Sequence, residues 1–420
     1  GLVGSEMCIR DRTRNIQGGI ETLKANLSGV IFGDNERVKI IGALNVSPES
    51  FYKYSDRDRI REDFLSLSRY SDIIDVGAAS TAPGVEMISK EEELKRIELA
   101  LKEISEVNPG IPISVDTQRG EVAELALNSG ADIVNDVSGL KDEEMLRVIE
   151  EFQPPLILMA SKKKPGDCLS IEEIIKSLKL SLDLALERGC NEILVDPGIG
   201  FGKPTSLNIE IIRCLPAMRC LGRPILVGIS RKSFIGEITG KDVKERLWGS
   251  LAATSISVFL GAHGIRTHDP EETRDCVKVS EEISRGYRSI KSEIDGHEIS
   301  LIEIALGDHV KYILNFIGVD EEGIEIMSRK AKPIGIFIDR LSTPEALICK
   351  QEILSLGGDA GINKGCIDFE TSETGVLLIG SFSQLKLFSE KLKRQGMKLR
   401  ELGKIMEGFL NGEIGKKEWR

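Results

Sequence analysis

The sequence lacks the features that would assign it to a membrane, to an oxidising compartment or to nucleic acid. No apolar run reaches the ~20 residues of a membrane helix; the longest candidate, Leu251–Ile265, is interrupted by Thr, Ser, Gly and His. The eight cysteines are scattered, without a Cys-x-x-Cys pair or zinc-ligand spacing, which indicates reduced thiols in a cytoplasmic protein. The net charge of −11 argues against a dedicated nucleic-acid binder.

The residues that are present follow one repeating pattern from about Glu36 onward. A short, β-branched apolar run is followed by a polar or Gly-rich loop and then by a longer amphipathic stretch. Apolar strands that alternate with helices indicate a parallel sheet covered by helices, and eight such units favour an α/β fold of the (β/α)8 TIM-barrel type. A doubly wound sheet is the alternative, but no Gly-x-Gly-x-x-Gly follows the first strand. The predicted strands are Val38–Leu44, Ile73–Val76, Ile113–Val115, Ile133–Val134, Leu156–Met159, Ile193–Val195, Ile225–Ile229 and Gly264–Ile265.

Length and pattern together predict two domains. A chain of 420 residues is long for a single core, and the repeating pattern breaks at a polar stretch near Ser289–His297. We expect the barrel at residues 36–290 and a small α+β domain at residues 298–420. Residues 13–35 would form an N-terminal segment. Residues 1–12 resemble translated sequencing-adapter sequence, and we expect them to be an artefact.

Polar side chains stand at the ends of seven predicted strands. Because the carboxyl ends of barrel strands meet at one rim, these side chains are expected to converge around a single mouth. Any one of them alone would more often be a turn or helix cap. Together they predict a site. The strand ends carry Asn45, Asp75, Asp116, Asn135-Asp136, Asp196, Ser230-Arg231-Lys232 and Arg266-Thr267-His268-Asp269.

The chemistry of these strand ends divides into two sets. Asp116, Asn135 and Asp196 are short hydrogen-bonding groups that suit the edge of a flat, nitrogen-rich heterocycle, because a carboxylate can grip an aminopyrimidinone through two parallel hydrogen bonds. The second set, Lys232, Arg266 and His268, is cationic or potentially cationic and suits an anion such as diphosphate. The sequence therefore predicts a neutral ring that carries an anionic leaving group.

A Gly-rich segment, Asp196–Lys203, follows the sixth predicted strand and has two interpretations. The glycines could serve only a tight turn that needs positive φ. They could also let the backbone approach a ligand, with Phe201 as a stacking face. The same two interpretations apply to the longer loop Gly77–Gly84.

Seven segments, in order, resemble the signature motifs of dihydropteroate synthases, and the resemblance covers about residues 36–282. It implies an enzyme that joins 6-hydroxymethyl-7,8-dihydropterin diphosphate to p-aminobenzoate or a related aryl amine and releases diphosphate, in folate-type pterin biosynthesis. The segments are Gly42–Phe51, Asp72–Gly77 with Ser80–Gly84, Ser114–Thr117, Asn135–Gly139, Asp196–Lys203, Ser230–Ser233 and Arg266–Asp269.

The resemblance also implies a role for each matching residue. Asn45 would help to hold Mg²⁺, because an amide oxygen is a hard ligand. The implied catalytic residues, which would stabilise the departing diphosphate without a covalent enzyme nucleophile, are Lys232, Arg266 and His268. The residues implied to bind the pterin are Asp116, Asn135, Asp196 and Lys232. Those implied to contact the diphosphate are Thr81, Arg266 and His268, and those implied to border the aryl-amine pocket are Pro83, Phe201, Lys232 and Ser233.

Two departures from the family pattern leave the aryl amine open. Ala82 stands where the family usually has Arg, and Met159–Lys164 replaces the usual Met-His-Met-Arg-Gly. Both variants resemble archaeal members, some of which use an aryl amine that carries a sugar phosphate. Lys162–Lys164 would then either meet such an anion or form a solvated loop.

Two other functions fit part of the pattern. A pterin-dependent methyltransferase would have a similar barrel but no need of a diphosphate site, so Arg231-Lys232-Ser233 and Arg266-x-His268 favour the synthase. A non-catalytic pterin-binding protein stays open because of Ala82. The C-terminal stretch from Ile348 to Gly380 resembles an accessory domain that precedes the barrel in some bacterial synthases. Small molecules are the expected partners, with no nucleic acid and no membrane, and a homodimer is a further expectation because dimers are common in the family.

Overall fold

The computed structural model describes residues 23–46, 55–78, 88–284, 291–294, 297–300, 307–316, 318–331, 333–368 and 370–410. The chain divides into two compact units, Gly1–Glu303 and Ile304–Arg420. The predicted site residues Thr81 and Pro83, and the predicted artefact at residues 1–12, lie outside the described residues. No helix in the described part of the chain is long and apolar enough to cross a membrane.

The first unit alternates strands and helices. Its strands are β1 (Lys24–Leu27), β2 (Val30–Gly33), β3 (Lys39–Asn45), β4 (Ile73–Gly77), β5 (Ile113–Thr117), β6 (Ile133–Asp136), β7 (Leu156–Met159), β8 (Ile193–Asp196), β9 (Leu226–Gly228), β10 (Gly264–Thr267), β11 (Lys291–Ile294) and β12 (His297–Ser300). Its helices are α1 (Ser55–Ser68), α2 (Lys90–Ser105), α3 (Gly120–Asn128), α4 (Glu143–Phe152), α5 (Ile171–Glu187), α6 (Thr205–Arg213), α7 (Leu215–Met218), α8 (Ser233–Thr239), α9 (Leu247–Phe259) and α10 (Pro270–Ser284).

Eight of these strands form the barrel that the sequence predicts. They are parallel and lie in the order β8-β7-β6-β5-β4-β3-β10-β9. A parallel bridge between Val195 and Ile225 joins the two ends of this order, at β8 and just before β9, and closes the sheet. Each apolar run predicted as a strand overlaps one of β3 to β10, because barrel strands are buried on both faces and read as continuous apolar sequence. The (β/α)8 prediction is confirmed.

One predicted helix is interrupted. The apolar pattern from Leu207 to Leu221 predicts a single helix, but the chain forms α6, then α7, then a 3-10 turn at Arg219–Leu221. Pro216 lies in the first turn of α7. Because proline has no N–H to donate, it is accepted at the start of a new helix and breaks the interior of an existing one.

The hairpin β1–β2 closes the base of the barrel, and the sequence analysis did not predict it. Ala25, Leu27 and Phe32 pack in one buried cluster with a ring of barrel residues. The connecting residues Ser28 and Gly29 have φ of 50° and 90°, the left-handed geometry of a two-residue hairpin turn. The barrel residues of the cluster are Ile41, Ile73, Ile133, Ile157, Leu194 and Leu226.

The second unit is a small α+β domain, as the sequence predicts. Its three-stranded antiparallel sheet has the order β13-β15-β14, and one face packs against helices around Ile353, Leu378 and Phe388. Two helices begin with capping boxes, at Ser342 with Glu345 and at Ser381 with Gln384. The elements are α11 (Gly307–Phe316), α12 (Glu321–Ser328), β13 (Pro333–Ser342), α13 (Thr343–Leu354), β14 (Asp359–Gly361), β15 (Glu373–Ser381), α14 (Phe382–Leu392) and α15 (Met397–Leu410).

Candidate active site

Strand register places the predicted polar residues inside the barrel, above the apolar base. Side chains two residues apart on a strand point to the same face. Ile73, Ile133 and Leu194 belong to the buried cluster at the base, so Asp75, Asn135 and Asp196 also face the interior, one layer nearer the mouth. Across the sheet, Asp116 aligns with Asn135 and with Gly77.

Arg266 lies between two carboxylates in this layer. Its Nε is 2.6 Å from Asp75 Oδ2, and one of its terminal nitrogens is 2.9 Å from Asp116 Oδ2. Asn135 Nδ2 donates to the same Asp75 oxygen at 2.9 Å. The sequence predicts Arg266 among the cations and apart from the acidic set, but the structure places it among the carboxylates. A buried guanidinium requires such partners because an unpaired charge is costly away from water.

The carboxylates keep unused hydrogen-bonding capacity. Among the described residues, Asp75 Oδ1 and Asp116 Oδ1 are buried without a hydrogen-bond partner. Burial raises the pKa of Asp116 to about 7, and Asp75 adds to this effect while Arg266 opposes it. Burial alone would lower the pKa of Arg266, but Asp75 and Asp116 hold it above its ordinary value. Asp116 therefore keeps a free oxygen for a ligand N–H.

Lys232 lies over the aromatic ring of Phe201. Its Nζ is 4.4 Å from the ring centroid, within the range of a cation–π contact. Gly200, at φ of 88°, allows this approach, because a Cβ there would be 2.8 Å from Lys232 Cδ. Burial and the nearby charge of Arg266 lower the pKa of Lys232 to about 8, although Asp196 and Asp116 oppose the shift. Ser233 follows as the exposed first residue of α8.

Asp196 and the Gly-rich segment after it are held together by local bonds. Asp196 Oδ1 accepts from Gly198 N at 2.7 Å, and Lys203 Nζ donates to Gly198 O at 2.6 Å. Burial raises the pKa of Asp196, against the opposing effect of the Gly198 N–H and of Lys232. These contacts fix a tight turn. They also leave Asp196 Oδ2 toward the barrel interior, with no hydrogen bond to it among those of the described residues.

His268 connects the rim after β10 to the rim after β3. Its Nε2 is 3.1 Å from Asn45 Nδ2, and its Nδ1 is 3.2 Å from Ser230 Oγ. An amide N–H can only donate, so Nε2 accepts and the imidazole proton lies on Nδ1. Desolvation and the nearby charge of Arg266 together lower the pKa of His268 to about 4. At that pKa the ring is neutral at pH 7, whereas the sequence predicts a potentially cationic group.

The structure thus brings together eight of the ten predicted substrate-binding residues and the predicted metal ligand around one mouth. The other two, Thr81 and Pro83, lie outside the residues that the structure describes. It also adds Asp75, which stands at a predicted strand end but has no predicted role. No group of three or more His, Cys, Asp or Glu side chains able to hold a metal occurs among the described residues. The gathered residues are Asn45, Asp116, Asn135, Asp196, Phe201, Lys232, Ser233, Arg266 and His268.

A closed barrel whose mouth gathers carboxylates, an amide and buried cations defines a class of enzyme that binds a flat, nitrogen-rich ring. The model of the pterin-binding enzyme family matches residues 41–268, which is more than half of the 420 residues. A dihydropteroate synthase of Clostridium beijerinckii is 37% identical over 262 residues, which are 60% of this chain and 97% of the relative.

Solved structures agree with this match. A Clostridium difficile dihydropteroate synthase, solved with pteroic acid, is 35% identical with a TM-score of 0.56, and the match covers 60% of this chain and 98% of that one. A Xanthomonas albilineans dihydropteroate synthase, solved with 4-aminobenzoic acid, is 31% identical with a TM-score of 0.57. The match covers 63% of this chain and 99% of that one. The chain therefore belongs to the dihydropteroate synthases, a group of transferases within the pterin-binding enzymes.

Proposed function

We propose that this chain condenses 6-hydroxymethyl-7,8-dihydropterin diphosphate with p-aminobenzoate or a related aryl amine and releases diphosphate. One observation carries the proposal: Asp116, Asn135, Asp196, Lys232 and Arg266 all line one closed barrel. In this proposal residues 36–290 carry the whole reaction. Residues 298–420 have an accessory role.

Asp196, Asn135 and Asp116 would bind the edge of the pterin. No described residue forms a hydrogen bond with Asp116 Oδ1, and Asp196 uses one oxygen on Gly198. Free carboxylate oxygens match the N–H groups of an aminopyrimidinone. Asn135 would act through its amide oxygen, because its Nδ2 already donates to Asp75. Lys232 would donate to a pterin acceptor from above Phe201.

Arg266, His268 and Thr81 would contact the diphosphate. Arg266 keeps its charge, since Asp75 and Asp116 hold its pKa above the ordinary value, but two of its nitrogens are taken by those carboxylates. It would therefore contribute mainly long-range electrostatic stabilisation, and the rest of its donors would face the ligand. His268 is a neutral ring before substrate binds, and the arriving phosphate charge would favour its protonation.

The reaction would be dissociative. The bond between the pterin methylene carbon and the diphosphate oxygen breaks, and its electron pair leaves with the diphosphate. The nitrogen of the aryl amine then forms the new bond to the carbon and loses a proton. The chain's part is to hold the pterin, to orient the aryl amine beside Phe201 and Ser233, and to stabilise the leaving group by positive charge.

Asn45 would contribute to a Mg²⁺ site at the diphosphate. Its Nδ2 is engaged with His268, which leaves the oxygen as its ligand atom. The donor chemistry fits, because Mg²⁺ is commonly held by one or two protein oxygens together with substrate phosphates and water rather than by a protein cage. When bound, the ion would neutralise charge on the leaving diphosphate.

The loop that follows β7 bears on the identity of the aryl amine, which stays open between p-aminobenzoate and an analogue that carries a phosphate. Asp167 accepts from the backbone N–H groups of Lys162 and Lys163 at 2.8 and 2.7 Å, and Lys162 Nζ pairs with Glu173. Gly166 packs against Phe201, since a Cβ there would be 1.9 Å from Phe201 O. Lys163 and Lys164 are exposed. In this proposal their loop lies beside the aryl-amine pocket, where an anionic substituent would meet them.

We also propose a homodimer through the outer face of α9 and α10. Five large apolar side chains are exposed there, which is unusual for the surface of a monomer. The exposed apolar side chains are Trp248, Ile256, Phe259, Val279 and Ile283, with exposed fractions of 71%, 54%, 42%, 61% and 64%.

The location we expect for the protein is the cytoplasm, with no nucleic-acid or membrane partner.

Steady-state assays test the proposed function. Purified protein is supplied with pterin diphosphate, Mg²⁺ and a panel of aryl amines that includes p-aminobenzoate and its ribosyl-phosphate analogues. Diphosphate release that requires both organic substrates supports the synthase. Methyl transfer would point to the methyltransferase alternative, and pterin binding without turnover would point to a non-catalytic protein.

A further inference from the structure

The loops that follow β9 and β10 are joined by an ion pair, Arg231–Asp269. Both residues lie in segments that resemble the family's motifs, but the proposed chemistry gives neither of them a role of its own. Arg231 Nε is 2.9 Å from Asp269 Oδ2, and its terminal nitrogen is 2.6 Å from Asp269 Oδ1. This two-point geometry fixes orientation as well as distance. Both side chains are mostly buried, with 26% and 14% of their surface exposed.

On the β9 side, Arg231 directly precedes Lys232, and several contacts hold it in place. Arg231 has a φ of 55°, a left-handed backbone conformation that costs energy for an arginine and persists only where its surroundings impose it. Its N–H donates to Ser250 Oγ at 2.9 Å and its carbonyl accepts from Arg246 at 3.2 Å. The third guanidinium nitrogen donates to Lys244 O at 2.9 Å. The next residue, Lys232, leaves from this fixed point toward Phe201.

On the β10 side, the pair determines where His268 lies. Ser230 Oγ is 3.4 Å from Asp269 Oδ2 and accepts from the backbone N–H of His268 at 3.3 Å. The same hydroxyl is 3.2 Å from His268 Nδ1, and the opposite ring nitrogen reaches Asn45. Ser230 thus relays the position of Asp269 to the imidazole.

We infer that Arg231 and Asp269 are positioning residues that set the spacing between the Lys232–Phe201 side of the mouth and the His268–Asn45 side. This inference rests on the proposed function, in which the first side receives the pterin and aryl amine and the second receives the diphosphate. In this proposal the pair contacts neither substrate. It matters because the breaking and the forming bond share one carbon, and a misplacement of about 1 Å can cost about 10²-fold in rate.

Asp269→Asn and Arg231→Lys test the inference, since each keeps the approximate shape but removes the charge or the two-point geometry. We expect each to lower kcat by about 10²-fold, while the Kd for 6-hydroxymethylpterin changes less than about threefold. The double variant should be no slower than the slower single variant, because both remove one coupling. Asp269→Glu with its longer stem should restore part of the rate.

Asp72→Asn provides the matched control. Asp72 pairs with Arg37 at the amino end of β4, and its side chain is 14% exposed, like that of Asp269. Asp72 accepts a further hydrogen bond from the backbone N–H of Ile40. It lies at the opposite end of the strand from the mouth, so kcat should be unchanged. An equal loss in this variant, or multiplying losses in the double variant, would overturn the inference and reduce the pair to a general stabilising contact.

Binding of inorganic diphosphate with Mg²⁺, measured by calorimetry, separates this inference from the proposed function. If the wild type binds diphosphate but shows no turnover, the proposed function fails. The role of the Arg231–Asp269 pair is then tested by diphosphate affinity alone. Asp269→Asn should then weaken diphosphate binding about tenfold, a loss of 1.4 kcal/mol, while pterin binding is retained. Unchanged diphosphate affinity would overturn the inference whatever the turnover.

Discussion

Arg266 Nε lies 2.6 Å from Asp75 Oδ2 in the middle of the barrel, and the Asp75 side chain is fully buried. The same carboxylate oxygen also accepts from Asn135, so one aspartate orients two residues that the proposed mechanism uses. The ion pair therefore serves both the folded state and the site.

Replacing Asp75 with alanine is expected to destabilise the protein strongly. Arg266 would keep only Asp116 as a partner, and removing one member of a buried pair costs about 3–5 kcal/mol. Urea denaturation of both proteins measures the free energy of unfolding. Asp183→Ala is the control, because its pair with Lys179 is exposed on both sides and should contribute no more than about 1 kcal/mol. Similar losses in the two variants would show that Arg266 does not depend on Asp75.

Asp196→Asn is expected to weaken pterin binding. A hydrogen bond to a charged partner contributes about 1.5–3 kcal/mol, so the Kd should rise about 10- to 100-fold. Fluorescence titration with 6-hydroxymethylpterin measures the change, and Asp183→Asn on the surface should leave the Kd as it is. Unchanged affinity in Asp196→Asn would remove Asp196 from the pterin site.

Lys232→Met is expected to stabilise the protein at pH 7 while impairing pterin binding. The pKa of Lys232 falls from its ordinary 10.5 to about 8 in the folded state, so the unfolded chain binds the proton more tightly. Below pH 8 this difference opposes folding. Between pH 8 and 10.5 the opposition fades, and the stability of the wild type should rise relative to the variant.

Denaturation at several pH values measures this effect. The variant should gain on the order of 1–3 kcal/mol at pH 7, and the gain should shrink toward pH 10.5. Lys241→Met, at an exposed position, should show no such pH dependence. A gain that is constant with pH would mean that apolar packing, and not the lysine charge, explains it.

His268→Ala is expected to impair turnover more than pterin affinity. The ring lies on the Asn45 side of the mouth, where the diphosphate would leave, and loss of one group that stabilises a leaving charge costs about 10²-fold in kcat. Steady-state kinetics with pterin diphosphate, together with the Kd for 6-hydroxymethylpterin, separate the two effects. Equal losses in both would place His268 in the pterin site instead.

The barrel could be predicted because its signal is local. Runs such as Leu156–Met159 are apolar on both faces, and a strand within a closed parallel sheet needs that composition. The hairpin at the base was missed although it has a local signal too, because Lys24-Ala25-Asn26-Leu27 alternates and Ser28-Gly29 forms the turn. The alternation is only four residues long, which makes it easy to overlook.

The convergence of the polar strand ends could be predicted from topology, but the partners inside the site could not. Arg266 and Asp75 are 191 positions apart, and Arg231 and Asp269 are 38 apart. Such pairings depend on strand order and register, which no local pattern carries. One hint was available: Asp75 interrupts an otherwise apolar run, and a charge in a buried strand needs a partner.

The closed base of the barrel limits where the N-terminus of a shortened protein can be placed. Residues 41–268, which match the family, begin after the hairpin whose Leu27 and Phe32 cover Ile73, Ile133 and Ile157. A fragment that begins at residue 41 would expose the apolar base of the barrel to water. Such an exposed apolar surface promotes aggregation. A recombinant catalytic fragment should therefore start upstream of Leu23.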